Sequence, residues 1–95
     1  MERMIAELIA EYGTRDAREI AKCAGVPIVY ERWHPTTLGE FERKTATIRV
    51  NLNAEGADLN TIIAHELGHY FAAGLNLTKV EDEKFARDFA EFLKD

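Results

Sequence analysis

Apolar residues recur at Met4, Ile5, Leu8, Ile9 and Tyr12, the three-and-four spacing of one helical face, after which Gly13 with Thr14 ends this helix and caps another. The second helix is expected to run to about Ala24 with Ala17, Ile20 and Ala21 inward, and Gly25 and Pro27 stop it. The period then changes. "VPIVYERW" has the β-branched and aromatic content of a strand, "HPTTLGEF" is rich in turn formers with Gly39 and Phe41 opening a short second strand, and "KTATIRVNL" sets Ala46, Ile48, Val50 and Leu52 against Thr45, Thr47, Arg49 and Asn51. That last alternation predicts a strand with its first set buried and its second set in water. After the loop "NAEGAD", Leu59, Ile62, Ile63, Leu67, Tyr70 and Phe71 form a helical stripe that Gly74 terminates. A final helix begins near Thr78 and buries Phe85, Ala86, Phe89, Ala90 and Leu93. The order helix, helix, three strands, helix, helix predicts an α+β fold, a small three-stranded sheet backed by about four helices.

With 95 residues, 46% of them hydrophobic and 31% charged, the chain has the composition of one small globular domain spanning residues 1–95. Its formal charge of -5, and the lack of any run of Lys and Arg, argue against direct nucleic-acid binding. Charges at Glu2, Arg3, Glu7 and Glu11 deny the N-terminal segment the apolar run of a signal peptide or a membrane span, so a cytoplasmic protein is expected. A lone cysteine, Cys23, excludes an internal disulfide and a zinc site built from several thiolates, and its place in "DAREIAKCAG" reads as a small core position, with a thiolate that plugs a metal site as the sharper alternative.

Chemistry concentrates in "TIIAHELGHYFAAG". His65 and His69 are four residues apart, so on a helix their rings share one face and reach one ion. Catalytic zinc takes three protein ligands and leaves the fourth position to water. Glu66, one residue past the first histidine, is rotated toward that open side. The sequence H-E-L-G-H thus matches H-E-x-x-H, in which the metal activates water and the glutamate serves as general base. Gly68 within the pattern costs helix propensity, which points to close packing beside the site.

The chain also resembles the ImmA/IrrE family of gluzincin-like metallopeptidase domains, and in size the minimal archaeal gluzincins. The likeness is carried by "AREIAKCAGVPIVYE", by "LGEF", by "ATIRVNL" with its closing Asn, and by "TIIAHELGHYF", and it covers about four fifths of the chain. It implies a minimal zincin-like domain whose further helix supplies a glutamate ligand. "EKFARDFAEFL" is similar to that helix, with Glu83 followed by Ala86, Phe89, Ala90 and Leu93. Family members often act on transcriptional repressors, so the resemblance implies a peptide or protein substrate that includes such regulators.

The third ligand has three candidates in "TKVEDE": Glu81, Asp82 and Glu83. Thr78 and Glu81 have the T-x-x-E spacing of a capping box, which occupies Glu81 at the helix start. Glu83 shares a face with Ala86, Ala90 and Leu93 and is the expected ligand beside His65 and His69. His34, before Pro35, reads as a solvated loop residue, with polarisation of a substrate carbonyl as the sharper alternative. Trp33, Tyr30 and Tyr70 are expected to pack, Tyr70 having an oxyanion donor role as its alternative. If the strand "ATIRV" lies at an open edge, an extended peptide could pair with it. The expected function is a zinc-dependent metallopeptidase that uses metal-activated water and Glu66. Its rival is a zinc-stabilised, anti-repressor-like binding module or a latent proenzyme with little activity.

Overall fold

The computed structural model describes residues 1–94, and Asp95, the last residue of the expected domain, lies outside them. Along the chain come α1 (Glu2–Tyr12), α2 (Ala17–Ala24), β1 (Ile28–Glu31), β2 (Gly39–Glu42), β3 (Thr47–Asn51), α3 (Leu59–Ala72) and α4 (Lys79–Leu93). This is the α+β order that the periodicities predict. No helix among the described residues is long and apolar enough to cross a membrane.

The sheet order is β1-β3-β2, with β1 parallel and β2 antiparallel to β3. β3 is therefore the central strand and has no open edge, which corrects the expectation that a peptide could pair with it. The exposed sheet edge beside the later site belongs to β2. On the outer face, Arg49 of β3 donates two bonds to Glu31 of β1, at 3.0 and 2.9 Å, and one to Glu42 of β2 at 3.1 Å. One guanidinium thus ties all three strands.

The predicted alternation of β3 holds for Ile48 and Val50, both fully buried, and fails at its ends. Ala46 belongs to the preceding turn with a positive φ of 49°, Asn51 is fully buried, and Leu52 is exposed. Burial of Asn51 follows from its amide, which is saturated. Its Nδ2 donates to the carbonyls of His34 and Thr37 at 2.9 and 2.5 Å, and its Oδ1 accepts from the amides of Trp33 and Asn53 at 2.8 and 3.0 Å. Asn51 pins the segment that leads into β2.

Helix ends depart slightly from the expected residues. Asp16, rather than Thr14, caps α2 by accepting from the amides of Arg18 and Glu19. Asp58 caps α3, and the Thr61 amide bonded to it lowers its carboxyl pKa. Its contribution is thus present above the unfolded pKa and lost as pH falls through the lowered folded value. α3 closes at Ala72, two residues before Gly74. Cys23 is exposed on α2 instead of lying in the core, because Ala17, Ile20 and Ala21 take the inward face.

α3 is the central helix: it packs on α4, on α2 and across β2 and β3, so residues on several of its sides are buried. An aromatic seam joins the layers. Phe41 of β2 meets Tyr70 at 6.0 Å between ring centroids, Tyr70 meets Phe71 at 5.0 Å, and Phe71 stacks at 5.4 Å on the fully buried Phe89 of α4. Trp33 is half-buried, while Tyr30, on the edge strand, is 43% exposed rather than packed away.

Gly68 sets the spacing of α3 and α4. A β-carbon there would lie 2.8 Å from Cα and 3.1 Å from the carbonyl oxygen of Ala86, which as backbone cannot give way cheaply. Gly68→Ala is therefore expected to lose about 1 to 3 kcal/mol through overpacking, which outweighs the roughly 1 kcal/mol that alanine gains in helix propensity. Gly74→Ala is the matched control, since nothing lies within 4 Å of the added carbon and its φ is not positive. It should be neutral or slightly stabilising. Urea unfolding of both variants checks the pair, and a stable Gly68→Ala would show that the helices are free to separate.

Candidate metal centre

The inward face of α3 carries His65 and His69, and α4 carries Glu83 across from them. Glu83 Oε2 lies 3.0 Å from His65 Nε2 and Glu83 Oε1 lies 3.3 Å from His69 Nε2. One donor atom from each of the three side chains falls within 4.8 Å of the other two. The residues expected from sequence as a ligand set are thus brought together. Glu81 is elsewhere: its carboxylate accepts from the Thr78 amide at 2.9 Å while Thr78 Oγ1 accepts from the Glu81 amide at 3.2 Å, completing the capping box.

Asp82, one of the three candidates for the third ligand, is instead buried behind His69. Its Oδ1 lies 2.5 Å from His69 Nδ1, and its Oδ2 pairs with Arg43, on the turn between β2 and β3. An ionised carboxylate only accepts, so Asp82 holds the Nδ1 proton of His69 and leaves Nε2 as the ring atom that faces Glu83, at 3.3 Å. The signal for Asp82 was in the sequence: it shares the spacing of Ala86, Phe89 and Leu93, the other buried residues of α4, so it is an acid on the apolar stripe.

The donor set suits zinc. Atoms bound about 2.0 to 2.2 Å from one ion in a tetrahedron lie roughly 3.3 to 3.6 Å from each other. The Glu83 carboxylate stands about that far from each ring, through Oε2 at 3.0 Å from His65 Nε2 and Oε1 at 3.3 Å from His69 Nε2, and two imidazoles with one carboxylate are a known catalytic donor set for this metal. Burial holds the pKa of His65 below its ordinary value, which favours the neutral ring that a metal requires.

Glu66 is only 6% exposed, and burial pushes its carboxyl pKa up to about 7. It forms no hydrogen bond or ion pair among the described residues, yet no buried side-chain polar atom is left without a partner, so its carboxylate oxygens retain access to open space. That space is a cavity of about 490 Å³ whose walls include His65, Glu66, His69 and Glu83 on one side and residues Leu38 to Phe41 on the other. Gly39 allows the close approach: a β-carbon there would lie 2.8 Å from Ile62 Cγ2, 2.9 Å from the Arg49 carbonyl oxygen and 3.5 Å from Glu66 Cγ.

The other candidates fall outside the cavity. His34 is exposed and pairs its Nδ1 with Thr36 Oγ1 at 3.0 Å, as a loop histidine does. Tyr70 packs between Phe41 and Phe71, and Cys23 is absent from the donor cluster. Comparison with protein-family models, with curated proteins and with solved structures finds no match to this chain.

If Asp82 orients His69, Asp82→Ala should lower zinc affinity about 10- to 100-fold while the fold is retained. Competition against a chelator of known affinity, with circular dichroism as the check on folding, reads this directly. Unchanged affinity would reduce Asp82 to a partner of Arg43.

Proposed function

We propose that the chain is a zinc-dependent peptidase of the gluzincin type, as its resemblance to ImmA/IrrE domains implies, acting in the cytoplasm on peptide or protein substrates. His65, His69 and Glu83 would hold the metal. The observation that carries this reading is the convergence of those three donors beside the unpartnered carboxyl of Glu66. Bound there, zinc would supply a Lewis acid that polarises the scissile carbonyl and makes water acidic.

The protein's own groups do the rest. Glu66 faces the cavity with a carboxyl poised near neutrality, so it can accept a proton from attacking water and return it to the leaving amine. Asp82 fixes the tautomer and angle of His69, and Arg43 fixes Asp82. β2 walls the cavity and occupies the sheet edge, so an extended peptide would add beside it rather than along β3.

About one zinc per chain is expected, lost in His65→Ala and His69→Ala and severely weakened in Glu83→Ala, whereas Glu81→Ala loses some thermal stability and keeps its metal. Elemental analysis of the purified variants decides the ligand set. Metal loss in Glu81→Ala with retention in Glu83→Ala would transfer the ligand to Glu81.

Glu66→Gln should retain zinc and lose at least about 100-fold in hydrolysis of any peptide that the wild type cuts, because the amide keeps the shape without the base. Mass-spectrometric cleavage assays on matched zinc-loaded proteins test the mechanism. Equal turnover would remove Glu66 as the base. A partner protein bound equally by both forms and cut by neither would favour the regulatory binding module instead.

A further inference from the structure

A second cavity, of about 780 Å³, adjoins the metal cluster and shares Arg43, His69 and Glu83 with the first. Glu66 and the β2 strand take no part in its walls. Its own lining comes from Leu77 and from Lys79, Val80, Asp82 and Arg87 of α4.

The two cavities differ in charge. Beyond the shared residues, the first contributes Glu40 and Glu66 and no cation. The second contributes Lys79 and Arg87, and its one additional acid, Asp82, is buried and already engaged by His69 and Arg43. Among the described residues neither Lys79 nor Arg87 forms an ion pair or a side-chain hydrogen bond, although Lys84 on the same helix pairs with Asp88 at 2.7 Å. Glu83 stands four residues from each of them on α4, and Val80, next to Lys79, is 80% exposed. In a chain of net charge -5, the lining of the second cavity carries three cations, Arg43, Lys79 and Arg87, against two acids, Asp82 and Glu83, whereas the first carries Arg43 against Glu40, Glu66 and Glu83, so the second is a local reversal of the overall field.

We propose that this second cavity is the specificity pocket of the peptidase and takes an acidic side chain of the substrate. Lys79 and Arg87 meet the carboxylate, while Leu77 and Val80 cover its methylene stem and the adjoining apolar residue. Arg43 is held by Asp82 and serves the metal centre, which leaves the carboxylate to the two α4 cations. The proposal rests on the peptidase reading for the path of the peptide across the cluster, but its test reads binding, so the two can fail separately.

Zinc-loaded Glu66→Gln protein is titrated at low salt into fluorescein-labelled alanine–leucine peptides with blocked ends, each with one central glutamate, glutamine or lysine, and binding is read by anisotropy. The glutamate peptide should bind about fivefold or more tightly than the glutamine peptide, as expected for two partly exposed ion pairs. Lys79→Ala with Arg87→Ala should erase that difference, and Lys79→Glu with Arg87→Glu should shift the preference to the lysine peptide. Equal affinity for glutamate and glutamine, no measurable binding, or a preference that survives the double alanine variant would overturn the proposal. So would a neutral peptide with a free C-terminus that binds as tightly as the blocked glutamate peptide, since the pocket would then read chain ends. A wild-type protein that shows the preference and never cuts would overturn the peptidase reading and leave the pocket assignment standing.

Discussion

Where α3 crosses α4, Gly68 lies against the backbone of Ala86, with room for a hydrogen and none for a methyl group. The approach of Glu83 to the two histidines in the candidate metal centre depends on that contact. The two histidines belong to one helix and the glutamate to the other, and the carboxylate reaches both imidazoles only because the helices meet so closely. Ala86 is three positions on from Glu83, about one helical turn, so a shift at the crossing is transmitted to the Glu83 carboxylate with little attenuation. The glycine that weakens α3 as a helix is what makes the pair of helices a site.

Around that crossing the protein arranges its charges in opposite ways. Asp82 is buried but fully engaged, its two oxygens divided between His69 and Arg43. Glu66 is buried and has no partner among the described residues, and desolvation pushes its carboxyl pKa up to about 7. One carboxylate is thus committed to orientation and the other left available for proton transfer. Catalytic acids and bases are commonly separated by environment in this way.

Much of this was legible in the chain itself. The helical periods, the change to strand period after Gly25, the capping box at Thr78 and Glu81, and the H-E-x-x-H spacing are local signals, and local signals survive folding. Glu83 followed because the capping box occupied Glu81 and because Glu83 shares a helical face with Ala86, Ala90 and Leu93. What escaped the sequence was non-local. That β3 is central and β2 lies at the edge is set by pairing between strands, which single-strand alternation does not encode. Asn51 is buried against its alternation because its amide answers four backbone groups from two separate segments. Cys23 is exposed because α2 presents a narrow face to the core. Asp82 lay between in kind: an acid in the stripe of Ala86, Phe89 and Leu93 is a readable anomaly, although its partners His69 and Arg43 come from distant parts of the chain.

On the proposed function, two imidazoles and a carboxylate from crossing helices hold one zinc ion with a position left open. The zinc K-edge absorption spectrum of the wild-type protein, loaded with one equivalent of metal, tests it most directly. Two imidazole nitrogens at about 2.0 to 2.1 Å, with oxygen from carboxylate and water completing a four-coordinate shell, are the expected result. A shell without imidazole scattering, or one that contains sulfur, would contradict it.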